Sequence, residues 1–168
     1  MFDGVRIEKY KIFISGVQKE LKTERRAVKA AVLGDVLLAE YFDVFLFEDA
    51  PARGKSPESA YLDEVKESDI YIGLLGDRYG GSVGGGMSPT EAELREAQKC
   101  HKEILIYIKG ENGTIDKNRE IGIQKLIKEI KDSKAGYSYR RFKTTVGNHR
   151  KDTNTNQDGV GRIFSKIY

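Results

Sequence analysis

The sequence predicts an α/β protein in which about five mostly parallel strands form a sheet between two layers of helices. Short apolar segments suited to buried strands alternate with longer segments that carry apolar residues at helical spacing. The chain has 168 residues, 39% hydrophobic and 33% charged, which is typical of one globular domain. Its apolar runs fall short of the roughly 20 residues that a membrane-spanning helix needs.

The first half of the chain contains two predicted strands and two predicted helices. Residues 11–15 and 43–48 are rich in side chains that suit buried strands. The spacing of apolar residues over 18–33 predicts a helix. A loop with prolines at both ends follows the second strand, and we expect a short helix over 58–66.

The second half continues the same alternation. Residues 76–87 contain six glycines and are predicted to form a loop after the third strand. The predicted strands are 70–75, 103–108 and an edge strand at 137–142, and the predicted helices are 89–101 and 120–131.

The end of the chain lacks this pattern. Residues 137–168 contain seven Lys or Arg against two Asp, and no apolar period is visible beyond 144. We therefore divide the chain into an α/β domain over 1–144 and a basic, polar tail or linker over 145–168. A solvated tail is the preferred interpretation, and the charge suggests nucleic-acid binding only weakly.

The predicted topology locates a binding site. Right-handed crossovers between parallel strands favour the flavodoxin-like order 2-1-3-4-5. Ligands of such sheets bind at the carboxyl ends of the strands, where the winding direction reverses. The walls of the site are therefore expected from residues 15–18 and 76–80, which follow the first and third strands.

The helix after the glycine-rich loop supplies the leading candidate for chemistry. Ser88, Pro89 and Glu91 match an N-cap, a first helical position and a capping box, which gives Glu91 a structural role. Glu93 has no such role and lies beside the apolar stripe of the helix. A carboxylate there is costly unless it is paired or used. Pairing with Arg78 or Arg95 at the rim is the alternative to a functional role.

Other common sites find little support in the sequence. The glycines match neither GxxxxGK[ST] nor a GxGxxG after the first strand, so they form either a ligand-binding loop or a flexible lid. His101 and His149 are far apart and Cys100 is the single cysteine, so no metal site is expected. The start of the chain lacks the features of a secretory signal, and we expect a cytoplasmic protein without a membrane partner.

Several segments resemble domain-of-unknown-function family 4062. They are FISGVQKEL with the following Glu24-Arg25, then FEDAPA, YLDEV, DIYIG, Tyr79-Gly80 and SPTEAE, in order over about residues 10–110. The resemblance implies a fold similar to TIR domains and nucleoside 2-deoxyribosyltransferases. It also implies a role in signalling or defence, as a module of a larger system.

The resemblance also implies a chemistry. Deoxyribosyltransferases use a glutamate within Gly-Thr-x-x-Glu-hydrophobic-x-x-Ala, which residues 89–97 match with proline in place of glycine, so Glu93 is the implied catalytic residue. It would attack the anomeric carbon or stabilise an oxocarbenium-like state during cleavage or transfer at an N-glycosidic bond. The chain has no Trp, unlike the TIR pattern, which argues against NAD cleavage specifically.

The remaining implied site residues would bind substrate. Ser15 and Gly16 would hold ribose or phosphate, Asp77, Arg78 and Tyr79 would position the base or leaving group, and Ser88 would also contact substrate. No cofactor is required, and NAD or a nucleoside would be the substrate. The alternative function is a non-catalytic module that self-associates or binds a partner protein.

Overall fold

A computed structural model describes residues 8–52, 54, 56–81, 86–111, 113 and 115–143, and these form one α/β fold. The strands pair in the order β2-β1-β3-β4-β5, and every neighbouring pair is parallel. The predicted fold class and strand order are therefore confirmed. The strands are β1 (Tyr10–Ser15), β2 (Phe42–Phe45), β3 (Ile70–Leu75), β4 (Glu103–Lys109) and β5 (Tyr139–Phe142).

Helices connect the strands and cover the sheet. They are α1 (Gln18–Gly34), α2 (Val36–Tyr41), α3 (Pro57–Glu67), α4 (Pro89–Lys99) and α5 (Ile121–Ile130), with short 3₁₀ helices at Phe47–Asp49 and Ile115–Asn118. None of the helices in the described ranges is both long and apolar enough to cross a membrane. The predicted tail over 145–168 lies outside the described residues.

Two local predictions were wrong. α2 was not predicted, because it has only six residues, nearly all of them apolar, so no helical spacing can be recognised. The Asp35 carboxylate starts this helix by accepting the backbone N–H groups of Leu37 and Leu38. The second strand was predicted over 43–48, but it ends at Phe45 because the chain then turns into the 3₁₀ helix. That turn brings Phe47 and Glu48 to the site described below.

The core has two layers, one on each face of the sheet. Phe13, Tyr71 and Ile106 extend from the strands into a cluster with residues of α3, α4 and α5. Ile14 and Ile72 point to the other face and pack against α1. Burial on both faces explains why the strands are almost continuously apolar in sequence.

The start of α4 places Glu93 on the inner face of that helix. Ser88 is the N-cap, and its hydroxyl accepts the backbone N–H of Glu91 at 3.3 Å, as predicted. The second half of the predicted capping box is absent, because the Glu91 carboxylate instead accepts from the Tyr79 hydroxyl and from Arg95. Thr90 and Glu93 lie on the buried side of the helix, with Leu94 and Ala97.

Candidate active site

The carboxyl end of β1 forms the base of the candidate site. Ser15 is the last residue of the strand, and Gly16 follows with a φ of +144°. A Cβ atom on Gly16 would lie 2.8 Å from the carbonyl oxygen of Leu74 in β3. Only glycine combines this φ with such a close approach of two backbones, so the sequence Ser-Gly is what allows α1 to start directly above the sheet.

A serine and a glutamate meet at this point. The Ser15 hydroxyl donates a hydrogen bond to Oε2 of Glu93, although the two residues are 78 positions apart in sequence. Both side chains are buried, with Ser15 1% and Glu93 9% exposed. The contact joins the end of β1 to α4 and holds the carboxylate at the switch point of the sheet.

Burial raises the pKa of Glu93 to about 7, because desolvation disfavours the charged carboxylate. The hydrogen bond from Ser15 and the positive charge of Arg25 act in the opposite direction, and the negative charge of Glu48 adds to the rise. Glu93 therefore populates both protonation states near neutral pH. Such a carboxyl in a cleft is a candidate for acid–base or nucleophilic chemistry.

Glu93 faces a cavity of about 270 Å³. Its apolar wall contains Phe47 and Tyr61, whose ring centroids are 6.1 Å apart in an edge-to-face arrangement. Gly16 and the glycines at 80 and 81 line the cavity as well, together with polar side chains. A cavity lined by aromatic rings and polar groups suits a flat ligand with a hydrophilic part.

A buried arginine also lines the cavity. Nη2 of Arg25 donates to the carbonyl oxygen of Ile14 at 3.2 Å and lies 3.0 Å from a carboxylate oxygen of Glu48. Among the described residues, Nε and Nη1 of Arg25 have no hydrogen-bond partner, nor has either carboxylate oxygen of Glu48. Desolvation lowers the pKa of Arg25, while Glu48 and Glu93 counteract that effect.

The structure brings together part of the predicted site. Gly16 and Glu93 line the cavity, and Ser15 bonds to Glu93. Ser88 is fully buried one residue before Pro89, which lines the cavity, and the Ser88 hydroxyl serves as the helix cap. The substrate-binding roles of these residues remain predictions.

Three predicted substrate-binding residues are not among those that line the cavity. The backbone N–H groups of Asp77 and Arg78 donate to the carboxylate of Glu20, at 2.6 and 3.0 Å. The Tyr79 ring packs against the backbone at Gly122, and its hydroxyl donates to Glu91 at 2.5 Å. Of the described residues in this loop, the cavity is lined by the two glycines that follow Tyr79, at 80 and 81.

The alternative partner for Glu93 is engaged elsewhere. Arg95 forms ion pairs with Glu91 at 2.7 Å and with Glu129 at 2.5 Å, on the outer side of α4. Glu93 points the other way, into the protein. The rim-pairing interpretation of Glu93 with Arg95 is therefore wrong.

Sequence reasoning missed several residues of this site. Arg25 appeared only within the Glu24-Arg25 pair of the family resemblance, and Phe47 was assigned to a strand. Tyr61 occurred in the resemblance without a role. Within the described ranges, no group of three His, Cys, Asp or Glu residues is placed to hold a metal ion.

The sequence matches one family profile over most of its length. The family described as Domain of unknown function (DUF4062) matches residues 11–155. No match was found among curated proteins.

Solved structures with a similar fold include two enzymes. One is a 2-desoxiribosyltransferase from Leishmania mexicana, with 17% identity over 64% of this chain and 70% of that chain and a TM-score of 0.45. The other is the CMP N-glycosidase BcmB from Clostridium botulinum, with 16% identity over 79% of this chain and 88% of that chain and a TM-score of 0.44.

Proposed function

This chain belongs to the family described as Domain of unknown function (DUF4062), and we propose that it cleaves or transfers the N-glycosidic bond of a nucleoside or nucleotide. The observation that carries the proposal is the buried carboxyl of Glu93, held by Ser15 at a cavity at the switch point of the sheet. Its pKa of about 7 makes the reactive carboxylate available at neutral pH. NAD is one possible N-glycoside substrate, and signalling or defence is the proposed setting.

The chemistry requires one carboxylate and one water molecule. The Glu93 carboxylate attacks the anomeric carbon and forms a glycosyl ester, while the bond from that carbon to the base nitrogen breaks and its electron pair leaves with the base. Water then attacks the same carbon and regenerates the carboxylate, and the proton it loses balances the one taken up by the base. In a transferase a second base replaces the water.

The rest of the site supports this arrangement. The Ser15 hydroxyl fixes one carboxylate oxygen of Glu93 and leaves the other for the substrate. Phe47 and Tyr61 provide an apolar surface on which a planar base can lie. Ser88, Asp77, Arg78 and Tyr79 remain proposed substrate contacts of lower rank. The side chains of Ser88, Asp77 and Tyr79 are hydrogen bonded within the fold, and Arg78 is not among the residues that line the cavity.

The test is release of free base by the purified chain. NAD, ribonucleosides, 2′-deoxynucleosides and their 5′-monophosphates are incubated with the wild-type protein, with Glu93→Gln and with Glu96→Gln, and products are separated by chromatography. Glu96 lies on the same helix with a half-buried side chain and serves as the matched control. We expect release with wild type and Glu96→Gln, and a loss of at least about 1000-fold with Glu93→Gln.

One outcome would contradict the proposal. If the wild-type protein released no more base than Glu93→Gln from every compound, at all protein concentrations tested, Glu93 would have no catalytic role. Circular dichroism of each variant shows whether a loss of activity accompanies a loss of fold.

A second candidate function rests on a separate observation. The end of α1 and the short helix α2 expose large apolar side chains, with Val36 85% and Leu37 67% exposed and Leu33 and Tyr41 also accessible. Exposed apolar clusters are typical of interaction surfaces. The alternative is therefore a non-catalytic module that binds a partner or a second copy through this surface. Sedimentation velocity should then show self-association that Val36→Glu with Leu37→Glu abolishes, and a monomer at all concentrations would oppose self-association.

A further inference from the structure

Arg25 lines the cavity and carries two N–H groups that no described residue accepts. The side chain is 3% exposed, and these two groups are the buried Nε and Nη1. A buried donor without an acceptor costs roughly 1–3 kcal/mol, and more when it carries charge. Buried polar groups are almost always hydrogen bonded in folded proteins. Glu48 pairs with the charge of Arg25 at 3.0 Å, so two N–H donors are what is left over. Beside a catalytic candidate, such donors point to an acceptor on the ligand.

The position of Arg25 indicates which part of the ligand supplies that acceptor. Its Nη2 bonds to the carbonyl oxygen of Ile14, the residue immediately before Ser15. Ser15 in turn holds Glu93, and Arg25 and Glu93 line the same cavity. The guanidinium and the carboxylate thus flank one strand end, so a group that Arg25 reaches lies close to the atom that Glu93 attacks.

If Glu93 attacks the anomeric carbon, the nearest acceptor is the hydroxyl on the adjacent sugar carbon. The apolar wall with Phe47 and Tyr61 offers the base a surface without charge, so the base does not need Arg25. A ribose presents a hydroxyl oxygen at this position, whereas a 2-deoxyribose presents only hydrogen atoms. A deoxy sugar would leave the buried donor unpaired in the complex.

We propose that Arg25 donates a hydrogen bond to the 2-hydroxyl of the sugar and so makes this site selective for ribosides over 2-deoxyribosides. The proposal rests on the proposed function, and it departs from the substrate preference that a resemblance to deoxyribosyltransferases implies. A site built to bond a substrate hydroxyl rejects the analogue that lacks it by large factors, since a buried polar group is left unpaired.

The experiment compares matched substrates that differ only at the 2-position. The substrates are cytidine and adenosine, their 2′-deoxy forms, and the 5′-monophosphates of all four. For each pair the ratio of kcat/KM for riboside over deoxyriboside is measured. We expect at least about 100-fold preference for the riboside in the wild-type protein.

Variants show whether Arg25 is the cause. Arg25→Met combined with Glu48→Gln removes the guanidinium without leaving a buried carboxylate unpaired, and we expect the ratio to fall to within a few-fold of one. Arg25→Lys keeps a charged donor and should retain part of the preference. Arg26→Met is the matched control, because the Arg26 side chain is 54% exposed and lies near Asp49. It should leave the ratio unchanged.

Binding measurements keep the proposal testable without catalysis. Titration calorimetry of Glu93→Gln with the same compounds reports selectivity in a protein that cannot turn over. Cleavage without riboside preference would overturn the role of Arg25 and leave the proposed function standing. If no compound were cleaved but ribosides bound in an Arg25-dependent way, the role of Arg25 would stand and the proposed function would be contradicted. Equal or absent binding of both sugars in Glu93→Gln, with no preference in cleavage, contradicts the proposal even if the Arg25 variants do not fold.

Discussion

Two buried arginines lie at the carboxyl edge of the sheet, and they differ in how many of their nitrogens are hydrogen bonded. Arg119 has a side chain that is 0% exposed, and all three of its nitrogens are bonded: to Asp116, to Asp77 and the carbonyl oxygen of Gly76, and to the carbonyl oxygen of Lys109. Arg25 is almost equally buried, yet two of its nitrogens have no hydrogen-bond partner in the part of the chain that the structure describes. Burial alone therefore does not distinguish the two positions.

This difference in hydrogen bonding distinguishes an arginine that stabilises the scaffold from an arginine at the binding site. Arg119 ties the ends of β3 and β4 to the 3₁₀ helix at Ile115–Asn118, and its network is complete within the protein. A complete buried network fixes one conformation, while an incomplete one is costly unless something else completes it. Asp77 belongs to this complete network through its ion pair with Arg119, and it is not among the residues that line the cavity.

The Arg119 network extends to the edge of the sheet. Asp116 accepts hydrogen bonds from Arg119 at 3.0 Å and from Arg141 of β5 at 2.6 Å. Burial raises the pKa of Asp116, but the hydrogen bonds from Arg141 and Arg119 outweigh it and hold this pKa below its usual value. β5 contains only four residues, so this cluster secures the edge strand.

The largest expected effect comes from removing the complete network. Arg119→Met leaves the carbonyl oxygens of Gly76 and Lys109 without this donor and removes one of the donors to the Asp116 carboxylate, which keeps Arg141. We expect a loss of about 3–5 kcal/mol in the free energy of unfolding. Arg25→Met with Glu48→Gln removes a buried pair that is poorly hydrogen bonded, and should cost under about 2 kcal/mol. Urea denaturation followed by circular dichroism measures both. Equal losses would mean that the two arginines serve the same structural role.

The next effect concerns the carboxyl of Glu93, which lines the cavity. In the folded protein the pKa of Glu93 is about 7, whereas in an unfolded chain it is about 4.3. The folded state therefore binds the proton more tightly, so the stability from this group is complete below about pH 4 and is lost as pH rises toward 7. At pH 8 the ionised carboxylate should cost about 3 kcal/mol relative to low pH.

Glu93→Gln removes this pH dependence, because the amide does not titrate. The variant should gain about 3 kcal/mol over the wild-type protein between pH 4 and pH 8, measured as the difference between their urea unfolding free energies. Glu96→Gln makes the same chemical change on the half-buried side of the helix and controls for it. A difference between Glu93→Gln and wild type that stays constant with pH would show that Glu93 is not held in a costly charged state.

The sequence predicted the scaffold well for a physical reason. Strands buried on both faces must be apolar along their whole length, and helices must carry a stripe, so local patterns reveal both. Glu93 was identified in the same way, because its helix position relative to Thr90 and Ala97 determines its direction. The helix α2 was missed because its six residues are nearly all apolar, so no stripe can be distinguished from the rest of its surface.

The rest of the site depends on contacts between distant residues. Glu20 accepts the N–H groups of Asp77 and Arg78, which are 57 and 58 positions away, and that contact fixes the start of the loop. Arg25 lines the cavity because the turn after β2 places Glu48 against it. No local pattern reports either contact, and both follow from the packing of α1 on the sheet.

A smaller effect tests the backbone at the edge of the site. Gly16→Ala places a Cβ atom 2.8 Å from the Leu74 carbonyl oxygen at a positive φ. We expect the free energy of unfolding to fall by about 1–3 kcal/mol. Catalytic activity should fall as well, because Gly16 lines the cavity. Gly34→Ala is the matched control, because a Cβ there meets no atom within 4 Å. It should be neutral in thermal unfolding. If both changes were neutral, the close approach of β1 and β3 would not constrain the site.

The smallest expected effect concerns the hydrogen bond from Ser15 to Glu93 and its influence on the pKa of Glu93. Ser15→Ala removes the hydrogen bond that lowers the pKa of Glu93, so this pKa should rise further. Since the nucleophile is the carboxylate, the rising limb of kcat/KM against pH should move upward by roughly one pH unit. Ser88→Ala is the control: it loses the cap of α4 and about 1 kcal/mol of stability, but it should leave the limb in place. An equal shift in both variants would mean that loosening of α4, and not the bond to Ser15, determines the protonation of Glu93.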